Sequence, residues 1–84
     1  MSVKVLYFAS LRETLGYSHE TLTLPESVST IGALRGHLAR RGGAWEALGE
    51  GRNVRAAINQ EMAGPDAVLA DRDEVAFFPP VTGG

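Results

Sequence analysis

A single long amphipathic helix has to cover a whole sheet in this chain, and that constraint fixes most of what it can fold into. Ile31, Leu34 and Leu38 recur at helical spacing in a segment that opens at Ser29 or Thr30 and stops at Gly42-Gly43. The other patterned runs are strand-like. Val3 to Phe8 is β-branched and aromatic, Ser18 to Leu24 alternates with Leu22 and Leu24 on one face, and Pro25 ends it. Val54, Ala56 and Ile58 alternate in a third run, and Glu74 to Phe78 forms the last. The order strand, strand, helix, strand, strand within 84 residues predicts an α+β domain, a mixed sheet with one main helix packed on one face.

Side-chain alternation then sorts the sheet residues. Val3, Val5, Tyr7, Val54, Ala56, Ile58, Val75 and Phe77 fall on the helix side. Lys4, Leu6, Phe8, Arg55, Ala57, Asn59, Glu74, Ala76 and Phe78 fall on the other. That second face turns apolar toward Leu6, Phe8 and Phe78, and soluble monomers usually avoid leaving such a patch in water. Either a partner docks there, with Phe8, Phe78 and Met62 as contacts, or a loop around Met62 folds back over it.

Smaller signals fill in the connections. Ser10-Leu11-Arg12-Glu13 fits a capping box opening a short helix, in which Leu11 and Leu15 share a face and Gly16 closes the end. Ala44 to Leu48 reads as one further helical turn around Trp45. Gly32 and Gly36, one turn apart in the main helix, suggest close helix–sheet approach, since each costs about 1 kcal/mol relative to alanine. Arg40-Arg41 is expected at the C-terminus of that helix, where cations offset its dipole.

Composition narrows the function classes. A chain of 84 residues forms one domain and buries only about 60% of its unfolded surface, which leaves little room for an enclosed active site. A net charge of −2 argues against nucleic acid as a partner. With no cysteine, disulfides, thiolate nucleophiles and cysteine–metal sites are excluded, so any sulfur chemistry must use acquired sulfur. The sequence opens directly on a strand-like run with no signal-peptide pattern, and no apolar run nears the ~20 residues that cross a bilayer. A cytoplasmic protein with no membrane partner is the expectation.

The last eight residues are Phe77-Phe78-Pro79-Pro80-Val81-Thr82-Gly83-Gly84. Two prolines cannot extend a sheet ladder, so residues 1–78 are expected as the domain and 79–84 as an extended, flexible tail. Glycine has no Cβ, so Gly83-Gly84 could thread a channel too narrow for other residues and present the Gly84 carboxylate at its end. Elsewhere the parts for autonomous catalysis are missing. His19 and His37 have no second histidine at ligand spacing and read as solvated, and no metal site is expected. Asp71, Asp73 and Glu74 lack the pattern of a calcium loop and read as a charged turn entering the last strand. No nucleophile elbow or phosphate-cradling loop is present.

The element order with a terminal diglycine resembles the ubiquitin-like β-grasp sulfur carriers. Within them the chain is similar to the small subunits of molybdopterin synthase over essentially its whole length. The likeness rests on Val5-Leu6-Tyr7-Phe8-Ala9 followed by Leu11-Arg12-Glu13, on Ala33-Leu34-Arg35, and on Ala57-Ile58-Asn59-Gln60. Most specific is the stretch from Asp73 through Phe77-Phe78-Pro79-Pro80-Val81 to Gly84. Arg72 departs from the family, which commonly has glycine there, a residue that reaches φ > 0 cheaply.

The resemblance implies a mechanism. An adenylyltransferase related to the ubiquitin-activating enzymes would consume ATP to adenylate Gly84, with no permanently bound cofactor on the carrier. A sulfur donor protein would then displace AMP and leave a thiocarboxylate. The tail, with Pro79, Pro80, Val81, Thr82 and Gly83 lining its path, would enter a pocket of the large subunit in a heterotetramer of two small and two large subunits. There the sulfur would attack cyclic pyranopterin monophosphate to build the molybdopterin dithiolene of the molybdenum cofactor, using acid–base groups of the large subunit. Competing functions are a ubiquitin-like modifier joined to target lysines, a sulfur carrier for thiamine or transfer-RNA thiolation, and a plain binding domain.

Overall fold

The first and last strands meet at the centre of the sheet. In the computed structural model, which describes residues 1–49 and 51–80, β1 (Ser2–Tyr7) runs parallel to β5 (Glu74–Phe78), in register from Lys4 opposite Glu74 to Tyr7 opposite Phe77. β2 (His19–Thr23) pairs antiparallel with β1, β3 (Arg55–Ile58) antiparallel with β5, and β4 (Glu61–Ala63) antiparallel with β3. The five-stranded order is β2-β1-β5-β3-β4, mixed as the sequence pattern predicts.

One core lies on one side of this sheet. Val3, Val5, Tyr7, Val75 and Phe77 are at most 1% exposed and pack with Ile31, Leu34 and Leu38 of α2 (Ile31–Ala39). Leu11 and Leu15 of α1 (Ala9–Leu15), Leu48 of the 3-10 helix Gly43–Leu48, and Leu24, Val28 and Leu69 complete it. Thr30 caps α2, its hydroxyl accepting from the Ala33 N–H at 3.1 Å. Gly16 closes α1 with φ 77, donating to the Arg12 carbonyl.

Four local expectations need correction. The capping box does not form: α1 starts at Ala9 with no side-chain cap, because the Phe8 carbonyl takes the Leu11 and Arg12 N–H groups. Ser10 thus sits inside the first turn, and both it and Glu13 are exposed. Gly32 does mark a close approach, but to the loop after β4 rather than to the sheet. Its N–H donates to the Pro65 carbonyl at 2.8 Å, and a Cβ there would meet that oxygen at 3.2 Å, whereas Gly36 faces open space. His37 is half-buried rather than solvated. The segment around Met62 is not a covering loop: it extends the sheet as β4, and Met62 is 65% exposed.

Arg41 also does more than decorate a helix end. Past the end of α2 it makes a bidentate ion pair with Glu20 of β2, at 2.9 and 3.0 Å, and lies 4.4 Å over the Trp45 ring. Glu20 also accepts from the buried Tyr7 hydroxyl at 2.9 Å. Burial pushes the Tyr7 phenol far above its ordinary range, reinforced by the Glu20 hydrogen bond and charge. For Glu20 burial opposes the charge, but the hydrogen bonds from Arg41 and Tyr7 outweigh it and hold the carboxyl below its ordinary value. A depressed folded pKa gives stability that is present above the unfolded value, about 4.3, and is lost as pH falls through the folded one. Glu20→Gln should therefore cost about 1 kcal/mol at pH 7, a figure reduced for solvent screening at this partly exposed site. The gap to the parent chain should close on acidification. Thermal melts from pH 7 down to pH 3 check this, and a gap constant with pH would remove the Glu20 carboxylate from the account.

At the turn before β5, Arg72 adopts φ 69, the left-handed conformation that glycine reaches without strain. Its N–H still donates to the Ser2 carbonyl, and Asp73 closes the turn by accepting from the Ala70 N–H at 2.8 Å. Arg72→Gly removes a strain of about 1 kcal/mol and loosens the unfolded chain by somewhat less. The variant should melt a few degrees higher, and an unchanged or lower Tm would show that the turn tolerates arginine freely.

Candidate functional site

The side of the sheet away from the helices carries the residues singled out above. Cross-strand register places them in rows. Leu6, Ala76, Ala57 and Met62 stand side by side across β1, β5, β3 and β4. Opposed residues in a pleated sheet share a face, so Met62 belongs here with Ala57, which settles the parity its sequence left open. One row further on, the Phe8 N–H donates to the Phe77 carbonyl at 3.1 Å, which continues the β1–β5 pairing and sets Phe8 beside Phe78. Arg55 flanks Phe78 from the other side.

Phe8 is 47% exposed, Met62 is 65% exposed, and Leu6, Ala76 and Phe78 are half-buried. Alanines at 57 and 76 leave a low floor between the aromatic pair and Met62. Lys4 and Glu74 stand opposite each other at the far, polar end. Tightly paired backbone holds the end near Asn59: its side chain donates to Asp73 at 2.9 Å and accepts from the Glu74 N–H at 3.0 Å. The chain leaves β5 at Phe78 into Pro79 and Pro80, both half-buried, next to the aromatic row. Val81, Thr82, Gly83 and Gly84 lie outside the described residues.

The centre of this face offers apolar contact rather than titratable groups. At the β3–β4 edge of the sheet, a surface cleft of about 290 Å³ is lined by Ile31, Arg35, Val54, Arg55, Met62 and Pro65 among others. Its half-buried Arg35 guanidinium is spent on structure, donating to the carbonyls of Leu48, Gly49 and Arg52 at 2.9–3.0 Å, and burial lowers its pKa. This clamp, which ties α2 to the loop before β3, was not legible in the sequence. Among the described residues no group of three or more His, Asp or Glu is placed to hold a metal, and no helix is long and apolar enough to cross a membrane.

A mixed five-stranded sheet of this order, grasping one main helix and releasing its last central strand into a proline-led segment, is the ubiquitin-like β-grasp fold. The model of the ThiS family matches residues 5–84. The molybdopterin synthase sulfur carrier subunit of Escherichia coli K12 is 43% identical over 82 residues, covering 98% of this chain and 99% of that protein. Among solved structures, a putative molybdopterin converting factor subunit 1 from Pyrococcus furiosus superposes with TM-score 0.78 at 32% identity, covering 96% of this chain and 99% of that one. The small archaeal modifier protein 1 of Haloferax volcanii gives TM-score 0.77 at 26% identity, covering 95% and 98%. The chain belongs to the ThiS family, on the branch of the molybdopterin synthase sulfur carrier subunits.

The two adjacent phenylalanines of β5 test the division between core and uncovered face. Phe77 is 0% exposed and stacks 6.4 Å from Tyr7, so Phe77→Ala should cost about 3–5 kcal/mol. Phe78→Ala, on the uncovered face, should cost under about 1 kcal/mol. Chemical denaturation of both variants reads the difference, and the reverse order would mean that the sheet has been turned inside out.

Proposed function

We propose that this chain is the sulfur-carrying subunit of a molybdopterin synthase, and that the Gly84 carboxylate is the group it delivers. The observation that carries the proposal is the apolar face that no helix covers, with Phe8 and Met62 exposed and Phe78 half-buried, set where β5 gives way to Pro79-Pro80 and the diglycine follows in sequence. Membership of the sulfur carrier branch supports the chemistry.

A carboxylate is a poor electrophile, so an activating enzyme related to the ubiquitin-activating enzymes first uses ATP. A Gly84 oxygen attacks the α-phosphorus and pyrophosphate leaves, forming an acyl-adenylate. A sulfur donor protein then supplies sulfur at the oxidation level of sulfide to the acyl carbon. AMP departs with the oxygen, and a thiocarboxylate remains, ionised and nucleophilic at neutral pH. The uncovered face docks on the large subunit while Pro79, Pro80, Val81, Thr82 and Gly83 lead the sulfur into its pocket. There the sulfur bonds to a carbon of cyclic pyranopterin monophosphate as a C–O bond at that carbon breaks, and water then cleaves the acyl–sulfur bond, leaving the sulfur on the pterin and restoring the Gly84 carboxylate. Acid–base groups come from the large subunit, two copies of each subunit form the working assembly, and the setting is the cytoplasm.

A modifier function is the second reading, favoured by the likeness to the small archaeal modifier protein and sharing the same adenylate. Sulfur delivery to thiamine or transfer-RNA thiolation would also share it. Intact mass after incubation with ATP, activating enzyme and sulfur source separates these functions. A carrier shows one oxygen-to-sulfur exchange, whereas a modifier shows up attached to other proteins. Deleting Gly84 should abolish the exchange and leave the melting temperature unchanged, because the core cluster is complete without it and the described residues beyond β5, Pro79 and Pro80, are not part of it. Sulfur acquisition by the shortened chain would overturn the assignment of Gly84.

A further inference from the structure

The geometry points to Arg55 as the specificity-determining residue of the docking face, pairing with a carboxylate that the large subunit presents beside the tail channel. This inference rests on the proposed sulfur-carrier function and names the chemistry its partner must supply.

Arg55 faces Phe78 in the β3–β5 register, so its side chain shares the uncovered face and closes the row Phe8–Phe78–Arg55 at the end where the tail departs. It is exposed, and among the described residues it has no ion pair and no side-chain hydrogen bond. The other charges of the face offset each other, Lys4 standing opposite Glu74. That pair lies four residues along the strands from Arg55, roughly 13 Å away.

Three acids elsewhere in the fold are already engaged and do not serve Arg55. Asp73 holds Asn59 and the Ala70 N–H, Asp71 accepts from the Ser2 N–H, and Glu20 is committed to Arg41 and Tyr7. Any partner that buries Phe8, Phe78 and Met62 also strips water from the guanidinium between them and the tail. Desolvating a cation without an acceptor is costly enough to cancel much of the gain from two aromatic rings. A tight partner must therefore bring its own acceptor, and the planar fork of arginine matches a carboxylate with two parallel hydrogen bonds. A lone cation on an otherwise apolar surface does not suit a polyanion, which rewards clustered Lys and Arg. The same group rejects wrong partners, since an apolar or basic surface would leave it unpaired.

The test is binding to the cognate large subunit, measured by titration calorimetry and stopped-flow at low and high salt. The parent chain is compared with Arg55→Glu, Arg55→Leu and Phe78→Ala. Arg55→Glu should weaken binding at least about tenfold, by faster dissociation as well as slower association. Parent affinity should fall as salt rises, and Arg55→Leu should flatten that dependence. Each variant's thermal melt should stay within a few degrees of the parent's, because both side chains lie outside the core cluster. Arg55→Glu binding within about twofold of the parent, or Arg55→Leu retaining the parent salt dependence, would overturn the inference. If Phe78→Ala loses binding while Arg55→Glu keeps it, only the role of Arg55 fails. If both bind like the parent, the docking face itself fails.

Discussion

The parallel pairing of β1 with β5 is the interaction on which the rest of the molecule depends. It joins segments some seventy positions apart in sequence, Lys4 with Glu74 through Tyr7 with Phe77, and so must wait for the intervening chain to close a long loop. Every other strand is then added antiparallel to one member of this pair or to its neighbour. The pairing also decides what the two faces are. On one, Val3, Val5 and Tyr7 meet Val75 and Phe77 and receive α2; on the other, Phe8 and Phe78 take neighbouring strand positions outside the core cluster. Core and uncovered face are two sides of one register, and a slip of one residue would exchange them.

That division was legible in the sequence because alternation alone carries it. Phe77 and Phe78, chemically identical neighbours, are sorted by parity into a fully buried and a half-buried position. The helix stripe Ile31, Leu34 and Leu38 was equally plain, since its period differs from that of the strands. What escaped depends on distant partners. β4 is three residues long, and its turn, Asn59-Gln60, lacks the glycine that normally advertises a hairpin. Both turn residues have positive φ, and the Asn59 side chain anchors them to Asp73 and Glu74, fifteen residues away in the case of Glu74. The Glu20–Arg41 pair spans twenty-one positions and carries no spacing signal. The capping box failed for a different reason: Ala9 turns the chain at φ 52, which no local pattern announces, and the helix begins before the serine.

The Tyr7–Glu20–Arg41 chain shows how a small core tolerates a polar group. Tyr7 is needed for its ring, which packs edge-on to Trp45 at 5.5 Å and stacks on Phe77. Its hydroxyl would be orphaned at the rim of the core without Glu20, and Glu20 would sit as a half-buried charge without Arg41. Arg41 in turn rests on the face of the Trp45 ring. The network closes on itself, and no buried side-chain polar atom among the described residues is left unpaired.

An exposed apolar face beside open sheet edges is also a hazard, because strands of other copies could add to it. The fold limits this at both ends of the sheet. β4 is too short to template a long pairing, and its neighbouring residues on the exposed row are alanines, which offer little area. β2 presents His19, Thr21 and Thr23 outward rather than large apolar groups. Lys4, Glu74 and Arg55 then bracket the apolar row with charge, so a second copy laid on this face would have to desolvate all three. What survives these restraints is an uncovered surface of two phenylalanines and a methionine bracketed by charge, which under the role inferred for Arg55 favours a partner that also satisfies its guanidinium. The features that keep the domain from sticking to itself are thus the ones that make it selective.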